Sequence, residues 1–167
     1  TKREELRKYG LANRRKLLLY GVPGTGKTMT AGVLAKELNL PLFIVRTEKV
    51  VTKFMGETGQ KLSRIFDFID EVPAVYLFDE FDAIGAQRGM ENEVGEQRRI
   101  LNTFLQLLER DSSDSFIIAA TNAIDSIDKA MFRRFDDVIE YRLPDSRQRI
   151  HLLREYLYAA KELDYSM

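Results

Sequence analysis

The residues whose types and spacing could do chemistry begin with Gly21-Val22-Pro23-Gly24-Thr25-Gly26-Lys27-Thr28. The spacing is G-x-x-x-x-G-K-[ST], the phosphate-loop pattern. A triphosphate presents crowded negative oxygens, and backbone N–H groups can cradle them only where side chains stay clear. Glycines at 21, 24 and 26 clear that space and permit unusual dihedrals. A helix that starts at the end of such a loop adds free N–H donors and the positive end of its dipole. In this reading Lys27 reaches the β and γ phosphates and the Thr28 hydroxyl ligates Mg²⁺. Val22, Pro23, Thr25 and Met29 complete the cradle and the first turn after it.

Two further stretches supply the rest of a phosphoryl-transfer site. Asp79 follows the apolar run Val75-Tyr76-Leu77-Phe78, so it is expected at the carboxyl end of a buried strand. A carboxylate there shares the Mg²⁺ of Thr28, usually through water. Glu80 brings a second carboxylate toward the γ-phosphate, where it accepts a proton from, or orients, an attacking water. Taken alone, an Asp-Glu pair at a strand end is an ordinary polar terminus; beside the glycine loop it reads as catalytic. Asn122, after Ala119-Ala120-Thr121, carries an amide suited to bind the attacking water or a γ-phosphate oxygen. Its plain alternative is an Asn in a strand-end turn.

Five apolar runs position these groups as strands: Leu17–Tyr20, Leu42–Val45, Val75–Phe78, Phe116–Ala119 and the short Val138-Ile139. The second, apolar throughout, is expected to be covered on both faces. Helices are predicted over 27–38, stopped by Asn39 and Pro41, and around Leu62, Ile65, Phe66 and Ile69, which share one face. Another is predicted over 96–109 through Ile100, Leu101, Phe104, Leu105 and Leu108, and a last one after Pro144 with Asp145 as N-cap. Residues 85–95, polar and glycine-punctuated, read as a loop. Residues 1–16 read as a basic helical lead-in. Alternating strands and helices predict an α/β fold with a doubly wound parallel sheet, ligand at the carboxyl edge of the strands.

The 167 residues suit one domain. Lys plus Arg is 26 and Asp plus Glu is 26, so the net charge is zero. That balance gives no bulk attraction to nucleic acid or membrane. Cysteine is absent, which removes disulfide and thiolate-metal chemistry and is compatible with a cytoplasmic location. No run approaches the ~18 apolar residues of a membrane span. A charged start at Thr1 and a stop just after a helical pattern are expected of a fragment of something longer.

Gly21–Thr28, Val75–Glu80, Ala119–Asn122 and Phe132–Asp136 occur in the order and spacing of the AAA family of ATPases, which the chain resembles from about Gly10 to Tyr156. The nearest flavour is katanin- and spastin-like remodelling ATPases and bacterial stand-alone AAA proteins. The resemblance implies a P-loop NTPase fold, an AAA+ core over 17–145 with a lead-in at 1–16, and the start of a truncated C-terminal helical lid at 146–167. It implies ATP and ADP with Mg²⁺ as ligands, hydrolysis to ADP and phosphate, and a ring homo-oligomer, expected to be a hexamer. Arg133 and Arg134 would be the arginine fingers that enter a neighbour's site; many members place Pro-Gly between these arginines and this chain does not. A solvated basic face is the alternative.

Phe54-Met55-Gly56 is similar to the family's pore loop that grips a polypeptide substrate, the alternative being that Phe54 packs in the core. Residues 86–95 resemble its second pore loop, followed by Arg98 and Arg99. Tyr156 falls near the family's nucleotide-contacting His, and His151 is expected on the surface. Gly10-Leu11 occupies the region that holds adenine. Val22 stands where relatives carry Pro. Rival readings are an AAA+ ATPase acting on nucleic acid, the ATPase part of an ATP-dependent protease, and a non-hydrolysing nucleotide switch.

Overall fold

The computed structural model describes residues 9, 14–52, 56–85, 91–122 and 129–164. Five strands form one sheet: β1 (Lys16–Gly21), β2 (Leu42–Arg46), β3 (Val75–Asp79), β4 (Phe116–Thr121) and β5 (Asp137–Tyr141). Their order is β2-β3-β4-β1-β5 and every pairing is parallel. The α/β parallel sheet expected from the sequence is therefore present. All five carboxyl ends lie along one edge.

The period of two along each strand builds two cores. Leu18, Tyr76, Phe78, Ile117 and Ala119 face one side, where they pack with Leu62, Phe66 and Ile69 of α3 (Glu57–Glu71) and Phe104, Leu105 and Leu108 of α5 (Glu91–Arg110). Leu19, Val75, Leu77, Ile118 and Ala120 face the other, against Ala31 and Ala35 of α1 (Lys27–Leu38). The chain moves one way across the sheet from β1 to β2 and the opposite way thereafter, so right-handed crossovers put α1 alone against α3 and α5. Phe66, Phe78, Phe81 and Phe104 meet edge-on or offset at centroid distances of 4.7–6.0 Å, a geometry that adds to simple burial.

Several local expectations hold. Asn39 ends α1 in the left-handed region with φ 51°, and the N–H groups of Asn39 and Leu40 return to Lys36 O and Ala35 O at 3.1 and 2.9 Å. That is the paired closure of a helix end. Asp145 caps α6 (Ser146–Asp164): Gln148 N donates to Asp145 Oδ1 at 2.8 Å, and Asp145 N donates to Gln148 Oε1 at 2.9 Å. The two residues form a reciprocal capping box.

Two expectations are corrected. β2 is an edge strand, and Ile44 is 50% exposed, so it is not covered on both faces; an apolar run does not reveal whether a neighbour pairs on each side. The stretch 85–95 is not one loop. A short helix α4 (Asp82–Gly85) ends it on one side and α5 already begins at Glu91, because a polar, acidic first turn is favoured at a helix N-terminus. Residues 86–90 lie outside the described ones, as do 1–8, 10–13, 53–55, 123–128 and 165–167. The lead-in helix, Gly10-Leu11, Phe54 and Met55 are therefore not placed. The short α2 (Thr47–Val50) and a 3₁₀ turn (Lys129–Arg133) were not foreseen.

The amino-terminal edge of the sheet is locked by charge. Asp111, buried at the end of α5, pairs with Arg15, whose second guanidinium nitrogen donates to Asp111 O at 2.7 Å. The Asp136 carboxylate accepts from the N–H groups of Arg15 and Lys16 at 2.8 and 2.9 Å. Asp136 thus fastens the segment that carries Arg133 and Arg134 to the start of β1.

Candidate nucleotide site

The loop from Gly21 to Thr28 leaves the carboxyl end of β1 and enters α1. Gly21 pairs with Tyr141 of β5, and a Cβ on Gly21 would overlap the Tyr141 carbonyl oxygen. Any other residue there would part the two strands. Gly26 is the N-cap of α1 at φ 97°, left-handed backbone that glycine adopts without strain. Thr25 Oγ1 donates to Val22 O at 2.8 Å and tightens the loop.

Lys27 is buried. Its ammonium donates to Gly21 O at 2.7 Å and Val22 O at 3.0 Å. Burial pulls its pKa below the ordinary lysine range, an effect that the carboxylates of Asp79 and Asp82 partly offset. The side chain therefore lies folded along the loop, held by carbonyls that are weaker partners than phosphate oxygens.

Thr28 Oγ1 donates to Asp79 Oδ2 at 3.1 Å, across 51 residues of sequence. This brings together the hydroxyl and the carboxylate expected to share a metal. Among the described residues no group of three or more His, Cys, Asp or Glu is arranged to hold a metal ion. Asp79 Oδ1 accepts from Glu80 N at 3.0 Å, and Glu80 has φ 52°, costly for a residue with a side chain. One buried hydroxyl holds that turn: Thr47 Oγ1 lies 2.8 Å from Asp79 O and 2.6 Å from Glu80 O. Asp82 accepts from the Thr121 hydroxyl and from Asn122 N, the latter at 3.2 Å, so it links β3 to the turn carrying Asn122.

Pro23, Gly24, Gly26, Lys27, Thr28, Met29, Asp79, Glu80 and Asn122 line one cavity of about 370 Å³. That volume is within the usual range of small-molecule sites. Residues from three strand ends, separated by as many as 99 positions, converge there. Several sequence-predicted residues are not among its walls, Gly21, Val22 and Thr25 of the loop itself included. Arg133 is exposed on the 3₁₀ turn, Arg134 forms an ion pair with Glu109 of α5, and Tyr156 is 71% exposed on α6. Gly56, in the left-handed region at φ 87°, caps α3 and also lies outside the cavity walls. Arg98, Arg99 and His151 are exposed.

Thr47 and Asp82 were missed by sequence reasoning. Each acts on a strand end remote in sequence, and no spacing rule announces it. The one available signal for Asp82 was its place three residues after Asp79, close enough to return to the same edge.

A family model described as "ATPase family associated with various cellular activities (AAA)" matches residues 17–143. The chain is 40% identical to the uncharacterised AAA family ATPase y4kL of Sinorhizobium fredii (strain NBRC 101917 / NGR234), over 86% of this chain and 43% of that protein. It is 36% identical to a proteasome-activating nucleotidase of Methanoculleus marisnigri, over 99% of this chain and 43% of the relative. With that of Thermococcus onnurineus the identity is 40%, over 90% and 40%. The chain thus spans less than half the length of these relatives.

Proposed function

This chain belongs to the AAA family of ATPases, and from that premise we propose that it binds ATP with Mg²⁺ and hydrolyses it to ADP and phosphate. The observation that carries the proposal is the one cavity walled jointly by Lys27, Thr28, Asp79, Glu80 and Asn122. The donor set fits the ligand: a hydroxyl and a carboxylate 3.1 Å apart suit a hard cation that keeps most of its ligands as water and phosphate oxygen. A buried ammonium and the start of α1 suit the phosphates themselves.

Each residue then has a task. Lys27 exchanges its two loop carbonyls for β- and γ-phosphate oxygens. Thr28 and Asp79 would hold Mg²⁺, which when bound would neutralise charge developing on the phosphates. Glu80 accepts a proton from the attacking water, whose oxygen bonds to the γ-phosphorus as the bond to the bridging oxygen of ADP breaks. Asn122 orients that water or the γ-phosphate. Arg133 and Arg134, outside the walls of their own cavity, serve the cavity of a neighbouring subunit in a ring, proposed to be a hexamer.

The substrate proposed for that ring is a polypeptide, gripped by Phe54, Met55 and Gly56, in the cytoplasm. Relatives that are proteasome-activating nucleotidases by name support it, and they also support a second reading, service to a protease. Among the described residues no helix is long and apolar enough to cross a membrane.

Glu80→Gln tests the hydrolytic assignment. ATP binding should remain within about threefold of wild type while kcat falls by about 10²- to 10⁴-fold, the usual worth of a general base. Turnover at the wild-type rate by Glu80→Gln would remove Glu80 from the chemistry.

A further inference from the structure

Tyr141, the last residue of β5, meets the phosphate loop at Gly21 and reaches Gly26 through Thr30 of α1. Its backbone carbonyl lies so close to Gly21 that no side chain fits there. Its phenol donates to Thr30 Oγ1 at 2.7 Å, and the Thr30 hydroxyl donates in turn to Gly26 O at 3.1 Å. Gly26 O also accepts from Thr30 N at 2.9 Å. Tyr141 and Thr30 are 111 residues apart in sequence, and both are half-buried.

The carbonyl that ends this relay belongs to the peptide unit whose other side is the Lys27 N–H. A peptide carbonyl that accepts two hydrogen bonds is held in one plane, and its own N–H becomes a better donor because bonds in a chain polarise one another. That N–H stands in the first turn of α1, where it has no partner within the helix and is free for an anion. A threonine hydroxyl that bonds back to its i−4 carbonyl ordinarily bends a helix slightly. Here a phenol ties that hydroxyl to the neighbouring strand.

We propose that Tyr141 and Thr30 are positioning residues for nucleotide phosphate, setting the orientation and donor strength of the Lys27 backbone N–H through the Gly26 carbonyl. The proposal rests on the reading of the loop as a nucleotide site. Neither residue touches the ligand. Both act on the phosphates through the peptide between Gly26 and Lys27, so their effect should appear with ligands long enough to engage that N–H and not with shorter ones.

The experiment measures dissociation constants of ADP and AMP for the intact protein and for Lys27→Ala, Tyr141→Phe, Thr30→Val, Thr30→Ser and the Tyr141→Phe/Thr30→Val double variant. Unliganded melting temperatures are taken alongside. Tyr141→Phe and Thr30→Val should each weaken ADP about three- to tenfold, the usual net worth of one hydrogen bond. The double variant should be no weaker than the worse single variant. Thr30→Ser, which keeps the hydroxyl, should bind ADP as wild type does. AMP affinity should be unchanged throughout.

Equal losses for ADP and AMP would mean general damage to the fold and overturn the proposal, as would Tyr141→Phe binding like wild type or additive losses in the double variant. The nucleotide reading has its own control. If wild type binds ADP and Lys27→Ala does not, that reading stands whatever the relay does. If wild type binds no ADP, both fall.

Discussion

Lys27 carries the electrostatics of the proposed nucleotide site. A buried ammonium held by two carbonyls costs free energy, since carbonyls replace water only in part. Its lowered pKa records that cost. In the proposed complex phosphate oxygens bring full negative charge to the same place, which favours the charged form and raises the pKa on binding. The sign follows: affinity is full below the free-state pKa and declines as pH climbs from there toward the higher pKa of the complex. The alkaline decline of ADP affinity should therefore set in below the ordinary lysine value of about 10.4. A pH titration of the dissociation constant reads it directly, and an affinity that begins to fall only at or above that value would contradict a lowered Lys27 pKa. At this scale the sequence was most legible for Gly21–Thr28, because a contiguous motif carries its own spacing. Thr47, Asp82 and Tyr141 were illegible for the opposite reason. Their hydroxyls and carboxylate act on residues 32 to 111 positions away, and only the sheet order brings them together.

The elements explain why the loop cannot drift. β1 is an interior strand, paired with β4 on one side and β5 on the other, so the loop leaves a strand fixed on both flanks. At Gly21 the fit to β5 leaves no room for a side chain. Gly21→Ala would drive a methyl into the Tyr141 carbonyl, and the cheapest relief is to separate β1 from β5 at that end. The variant should lose several degrees in melting temperature and about tenfold or more in ADP affinity, because the same movement displaces both acceptors of the relay and the loop carbonyls. Circular dichroism melting with a binding titration measures both; unchanged values in each would show that β5 does not buttress the loop. Five strands and four long helices were readable from apolar runs and helical spacing, since those signals are local. The edge position of β2, the early start of α5 at Glu91 and the short helices α2 and α4 were not. A four-residue helix has no room for periodicity, and an apolar run says nothing about who pairs beside it.

At the scale of the whole molecule the proposed function divides the site between two subunits. Thr28, Asp79, Glu80 and Asn122 meet at one cavity, but Arg133 and Arg134 do not. Arg134 is 42% exposed and paired with a Glu109 that is 44% exposed, a surface ion pair worth about 0–1 kcal/mol. Such a contact costs little to exchange for a phosphate, as the proposed role in a neighbouring subunit requires. Asp136 meanwhile anchors the arginine segment to β1, so the arginines are presented from a rigid base. Membership of the AAA family was legible from motifs in order, whereas a site shared between two chains, as proposed, is not one that a single chain can display.

The most direct test of the proposed shared site mixes two inactive proteins. Arg134→Ala keeps its phosphate loop but has no finger to lend; Lys27→Ala has the finger but a disabled loop. Under conditions where the intact protein turns over ATP, each variant alone should hydrolyse at a small fraction of the wild-type rate. Mixed rings should regain activity at every interface where the loop of an Arg134→Ala subunit faces the arginine of a Lys27→Ala subunit, with a maximum near equal proportions. Wild-type turnover by Arg134→Ala alone, or a mixture as silent as its parts, would contradict a site completed in trans.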